Sequence, residues 1–316
     1  MRSSSHKKCT GIIIFLLFLV SIFGSGAVAN TEAEDKVKRA RHLFLTALKT
    51  EDRGNKEKLI KEFVSLKESA VEYIISEIDW KDPEHLNFAE EIIPRLARVA
   101  ERPFMFLLGD SSAFRVSVAI RFLGKIKSKR AVVPLILLLN DYRVQVRASS
   151  AYALGEIGDK SSAVYIRQAL RDTVPAVRRN ACISLGKLRS KVAIPELIKC
   201  LDDTAYSVAY AASYALISIG DPSITDTLLA LLPTSKGAFR YHIIETLGGL
   251  RDEKSLPVLL PLLEHPSFIE RGITCEALGN FRGNYRVANA LKKLLNDPSP
   301  FVRMEATNAL KSIRGY

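Results

Sequence analysis

Ala131-Val132-Val133-Pro134-Leu135-Ile136-Leu137-Leu138-Leu139, then Asn140-Asp141-Tyr142-Arg143, then Val144 through Leu154-Gly155-Glu156-Ile157 and out by Gly158-Asp159-Lys160, is one unit of a pattern that returns every 31 residues. Leu123-Gly124, Leu185-Gly186, Leu247-Gly248 and Leu278-Gly279 fall on the same grid. Leu216-Ile217 takes the slot without its glycine, and Leu310-Lys311 closes the series one residue late. The first segment reads as a short, nearly all-apolar helix with Pro134 in its first turn, where a missing N–H costs little. The second carries apolar or small residues at 144, 148, 151, 154 and 157, a helical spacing. Gly158 suits the left-handed position past a helix end. Helix pairs this short bury their apolar faces only by stacking on neighbours, so the period predicts an all-α superhelix of stacked antiparallel helix pairs.

The grid does not extend to the N-terminus. Arg2, Lys7 and Lys8 precede an apolar run from Gly11 to Phe23, and Ala27-Val28-Ala29 offers the small residues that a signal peptidase accepts. Residues 1–29 therefore read as a cleaved Sec-type signal, and the chain as exported, periplasmic or secreted. The apolar core is short for a bilayer span of about 20 residues. Counting the flanking small residues lengthens it, so an uncleaved membrane anchor is the alternative. Residues 30–100 are helical by pattern but off the grid, with turns at Gly54-Asn55 and Asp79–Pro83 and a break at Pro94. They read as degenerate repeats that cap the array. Cys182, Cys200 and Cys275 occupy slots filled by apolar or small residues in sister units, which makes them buried free thiols.

A second signature runs through the second helices: Asp, five residues, Arg, six residues, Leu-Gly. Asp141/Arg147, Asp172/Arg178 and Asp297/Arg303 keep both charges; Arg240 and Arg271 keep only the Arg, and Asp203 only the Asp. With the 31-residue grid, this resembles the HEAT-repeat family, in the short form found in phycobilisome lyases, over seven units in 101–316. The resemblance implies that Asp and Arg of adjacent units form a ladder along the seam. It also implies a concave surface that second-helix positions −2, −5 and −6 from the repeat Leu would line. The residues expected there as a partner-binding face are Arg121, Tyr152, Arg179, Asn180, Tyr210, Tyr214, Tyr241 and His242. Tyr and Arg combine large contact area with a polar handle and are enriched at binding hot spots.

The net charge is +12, and residues 101–191 hold the excess, with 17 Lys and Arg against 6 Asp and Glu. Lys125, Lys127, Lys129 and Arg130 lie in one inter-repeat turn, and Lys187, Arg189 and Lys191 in the equivalent turn two units on. Equivalent turns of a solenoid share an edge, so these cations form an expected anion-binding edge suited to anionic lipid or a polyanion. Nucleic acid is not an expected partner of an exported chain.

Two enzyme classes share the repeat. Deoxyhypusine hydroxylases hold two irons through His-Glu pairs just after the Arg of the second helix. Here those slots read Ala148-Ser149, Arg179-Asn180, Tyr210-Ala211, Tyr241-His242, Gly272-Ile273 and Met304-Glu305, with no His-Glu pair. Bilin lyases work in the cytoplasm, against the export signal. His242 and Glu245, three apart, amount to half a metal site at most. No cofactor, metal site or catalytic residue is expected. The reading is a non-enzymatic protein–protein scaffold of the cell envelope; a peripheral binder of anionic lipid or polyanion is the alternative, and a bilin-lyase-like enzyme stands behind both.

Overall fold

The computed structural model describes residues 27–314, so the signal expected over 1–29 lies almost wholly outside the described residues. Among the described residues every regular element is helical, and no helix is long and apolar enough to cross a membrane. The chain divides into two compact units, Met1–Ala100 and Glu101–Tyr316.

The first unit is built on α1 (Ala27–Lys49), α2 (Arg53–Ser65), α3 (Glu68–Ser76) and α4 (Pro83–Ile92). Asp52 caps α2 by accepting from the Asn55 N–H at 2.7 Å, and Asp82 caps α4 ahead of Pro83. Pro94 ends α4 in a 3-10 turn, Ile93–Leu96, because it cannot donate to the ladder. The core is aromatic: Phe44 meets Phe88 at 4.9 Å, Tyr73 at 5.3 Å and Phe63 at 5.7 Å.

The division falls within α5 (Ala97–Leu107), and the second unit continues in alternating long and short helices. These are α6 (Ala113–Lys125), α7 (Val132–Leu138), α8 (Val144–Ile157), α9 (Ala163–Ile166) and α10 (Pro175–Lys187). Then follow α11 (Ile194–Cys200), α12 (Tyr206–Ile219), α13 (Pro222–Leu231), α14 (Gly237–Leu250) and α15 (Leu256–Leu259). The last three are α16 (Phe268–Leu278), α17 (Tyr285–Lys293) and α18 (Pro300–Arg314). The even-numbered long helices stack one on the next from α6 to α18, and the odd-numbered short helices form a second layer against them. The repeat leucines Leu123, Leu154, Leu185, Leu216, Leu247 and Leu278 lie between the layers with no exposed surface.

The Leu-Gly signature is a device for close packing. A Cβ at Gly155 would lie 2.7 Å from Ser184 Cα on the next long helix, and one at Gly186 would lie 2.8 Å from Ala215 Cα. The residue that faces the repeat glycine, one before the next repeat leucine, is correspondingly small: Ala153 against Gly124, Ser184 against Gly155, Ala215 against Gly186 and Ala277 against Gly248. Where Ile217 replaces the glycine, the next long helix answers with Gly249, whose missing Cβ leaves room for the Ile217 side chain.

The charge signature forms the expected ladder. Arg147 donates to Asp172 at 2.7 and 3.1 Å, Arg178 to Asp203 at 2.7 and 2.7 Å, and Arg271 to Asp297 at 2.8 and 2.9 Å, each to the following unit. The same arginines close their own turns: Arg147 Nη1 donates to the carbonyls of Asp141 and Tyr142, and Arg178 Nη1 to those of Asp172 and Thr173. Arg240 lacks an Asp in the next turn and takes buried Glu270 at 3.0 Å instead.

Candidate partner-binding face

Tyr206, Tyr210 and Tyr214 stand four residues apart on α12 and form one stripe, because residues four apart on a helix share a face. They are 66%, 59% and 61% exposed. The start of α12 is held by Asp203, which accepts from the Ala205 N–H at 2.9 Å while bonded to Arg178, so the ladder itself aims the stripe. Tyr206 and Tyr210 stack with ring centroids 6.2 Å apart. Tyr206 was absent from the expected face, although it continues the same spacing one turn earlier; counting positions back from the repeat Leu stopped short of it.

His242 is a correction. It was expected on the exposed face and is buried, with its ring 5.4 Å from that of Tyr206 and Nδ1 2.9 Å from Glu245 Oε2. Asn180 is likewise half-buried, and its Nδ2 donates to the Ala148 carbonyl of the preceding long helix at 2.9 Å. The reason is angular. At 3.6 residues per turn, position −5 lies about 60° round the helix from −2. That flank packs on the preceding long helix, as Ser184 at −1 also does through its bond to the Ala151 carbonyl at 2.7 Å. Positions −2 and −6 remain open to solvent in Tyr152, Arg179, Tyr210 and Tyr214, whereas Tyr241 and Arg121 are half-buried. Burial lowers the Arg121 guanidinium from its ordinary value, with the nearby Tyr152 acting in the opposite sense.

Towards α16 the face turns acidic. Burial, then the neighbouring carboxylates of Glu245 and Glu305, raises Glu276 above the ordinary range. Burial, then Glu245, raises the Tyr206 phenol as well. Towards α8 it turns basic: Lys187 Nζ sits 4.4 Å from the Tyr152 ring centroid, 3.3 Å from its hydroxyl, and in an ion pair with Glu156. Lys187 therefore belongs to the tyrosine face rather than to the edge.

Other edge cations also have partners. Arg130 pairs with Glu101 at 3.5 Å, Lys191 with Asp221 at 2.9 Å, and Lys129 donates to the Ile157 carbonyl at 3.4 Å. Lys125 is exposed beside them. Lys127 and Arg189 end their helices with φ of 52° and 48°, where the sister units use Gly158 and Gly220.

With two layers of paired helices, a glycine seam and an Arg–Asp ladder, the second unit matches the model for HEAT repeats over residues 132–217, 194–271 and 256–315, more than half of the chain. The chain belongs to the HEAT-repeat family. Among solved structures, the array is similar to YibA of E. coli, at 20% identity over 85% of this chain and 100% of that one, with a TM-score of 0.51. It is also similar to the CpcE–CpcF complex of phycocyanin lyase from Nostoc, at 23% identity over 70% and 94%, with a TM-score of 0.42. Human deoxyhypusine hydroxylase matches at 19% identity over 91% and 99%, with a TM-score of 0.32. At such identities the likeness extends to the fold alone. No curated protein matches the chain.

Proposed function

We propose that this HEAT array is a non-enzymatic scaffold of the cell envelope that binds a protein partner on the exposed face of its long helices. The observation that carries the reading is the Tyr206–Tyr210–Tyr214 stripe. Three large aromatic side chains, each more than half exposed, sit in one line on a rigid helix in the middle of the stack. Isolated exposed hydrophobic residues are ordinary, but an ordered aromatic row on a scaffold is the composition of an interface centre. Export rests on the basic, apolar and small-residue order of residues 1–29. Fusing that segment to a reporter active only outside the cytoplasm tests it; an inactive reporter removes the envelope from the proposal.

The binding test is affinity capture from an envelope fraction with residues 30–316, washed at low and at high salt. A discrete protein that survives high salt and is lost with Tyr210→Ala/Tyr214→Ala supports the reading. The second reading is an electrostatic edge for anionic lipid or a polyanion. What favours it is that Lys127 and Arg189 occupy left-handed positions that suit glycine better. Material released by salt and lost with Lys127→Glu/Arg189→Glu would replace the scaffold with this edge, since screening shortens to about 3 Å near 1 M salt.

A further inference from the structure

The short-helix layer of three successive units carries a row of lysines beside a row of aliphatic side chains. Lys129, Lys160 and Lys191 stand 31 residues apart. Each opens the 3-10 turn that leads into a short helix: Lys129–Ala131 into α7, Lys160–Ser162 into α9 and Lys191–Ala193 into α11. All three are exposed. Four residues after the first two, and so about one turn further along the same side, come Val133 and Val164. Leu137 follows Val133 by one more turn. Leu137 and Val133 are the most exposed large aliphatic residues among the described residues, at 70% and 66%, and Val164 and Val192 are half-exposed beside them.

Carboxylates are kept off this face. Residues 129–139 and 160–171 hold five Lys and Arg and no Asp or Glu. The acids that bound these segments are engaged: Asp141 accepts from Arg143, Asp159 from the Ser161 N–H and hydroxyl, and Asp172 from Arg147. Glu196, in the third segment, faces Arg167 at 3.5 Å. Arg130 pairs with Glu101 yet keeps 83% of its side chain exposed.

The fold requires neither row. In later units the lysine slot holds Pro222, Glu253 and Asn284, and the valine slot holds Asp226, Pro257 and Ala288, with the same two-layer stacking. The start of a helix favours Pro or an acid, because its free N–H groups carry partial positive charge, so a lysine there is locally unfavourable. Equivalent slots lie about 10 Å apart in stacked helices, so the two rows form one patch rather than scattered residues.

We propose that this outer face of α7, α9 and the turn before α11 docks on an anionic membrane surface. The lysines meet lipid phosphates, and Val133, Leu137 and Val164 reach into the boundary between head groups and acyl chains. Charge complementarity alone would suit any polyanion. The aliphatic row selects lipid, because a soluble polyanion leaves those side chains in water. The patch shares Lys129 and Lys191 with the basic edge, but its apolar half lies outside that edge. The tyrosine row belongs to the long-helix layer, so this inference does not rest on the protein-binding reading, and both surfaces can be occupied at once.

The experiment follows hydrogen exchange of the full chain on two kinds of vesicle: phosphatidylcholine alone, and phosphatidylcholine with about three in ten lipids replaced by phosphatidylglycerol. Exchange should slow over 129–139 and 160–171 on the anionic vesicles only, and stay unchanged over the equivalent segment 222–232. Flotation of residues 30–316 gives the magnitude, with melting curves to establish that this chain and its variants are folded. Lys129→Gln/Lys160→Gln/Lys191→Gln should lower vesicle binding about a hundredfold, or about fivefold per lysine. Val133→Ser/Leu137→Ser, which leaves the charge unchanged, should lower it at least about tenfold. Tyr210→Ala/Tyr214→Ala should leave vesicle binding as it is, and Val133→Ser/Leu137→Ser should leave protein capture as it is, so either reading can fail alone. Equal protection on neutral and anionic vesicles, equal protection over 222–232, or binding that depends on the lysines but not on Val133 and Leu137 would overturn the proposal.

Discussion

At Arg147 one guanidinium closes its own turn through the Asp141 and Tyr142 carbonyls and reaches the next unit through Asp172. Both side chains of that pair are mostly buried, with 15% and 11% exposed. A buried pair is weak evidence of net stability, but removing one partner strands the other charge. Arg147→Ala is therefore expected to leave Asp172 uncompensated and cost about 3 kcal/mol, the low end for a buried pair because some solvent remains. Denaturant unfolding checks it. The carboxylates also predict acid sensitivity. The Arg178 hydrogen bonds hold Asp203 below the ordinary carboxylate value, and the Arg271 bonds do the same for Asp297. Depressed folded values mean that this stabilisation is complete above the unfolded value of about 3.9 and is lost as pH falls through the folded values. Unfolding midpoints measured down to about pH 3 should drop steeply for the native chain and less steeply for Asp203→Asn/Asp297→Asn.

Between elements, the decisive quantity is how closely two long helices approach. Glycine to alanine in an exposed helix raises stability by up to about 1 kcal/mol. At Gly155 the added carbon would meet the backbone of α10 at Ser184 Cα, and at Gly248 it would come within 2.6 Å of Ala277 Cα on α16. Backbone cannot step aside as a side chain can, so overpacking of about 1–3 kcal/mol outweighs the propensity gain. Gly155→Ala and Gly248→Ala should therefore lower the melting temperature. Gly249→Ala meets only the Ile217 side chain and should cost less, and Ile217→Ala should recover most of the loss. An additive double mutant would contradict the paired reading of Ile217 and Gly249.

For the whole molecule, the long-helix face grades from Lys187 and Arg179 on α10, through the tyrosines of α12, to Glu245 and Glu276 on α14 and α16. A partner seated on the tyrosines, as proposed, would meet opposite charges on either side, so charge would set its orientation and the aromatic row its affinity. Tyr210→Ala/Tyr214→Ala should reduce capture at every salt concentration, by at least about tenfold for hot-spot losses of about 2 kcal/mol. It should leave the melting curve unchanged, because the side chains it removes are largely exposed. Glu245→Gln/Glu276→Gln should change the association rate at low salt more than the dissociation rate.

Period, composition and motif were enough to read the helix pairs, the stacking and the Arg–Asp ladder, because each depends on residues that recur at fixed spacing and act on their nearest neighbours. Local periodicity also placed Tyr210 and Tyr214 on one face of their helix, since residues four apart share a face. What separates His242 and Asn180 from Tyr152 is which flank of a long helix the preceding repeat covers, and that is a property of the stack rather than of the helix. The exchange of Ile217 for Gly249 has the same origin: it joins residues on two successive long helices, far apart in the chain. A sequence repeat gives every unit the same slots, but only packing across the seam decides which slots touch.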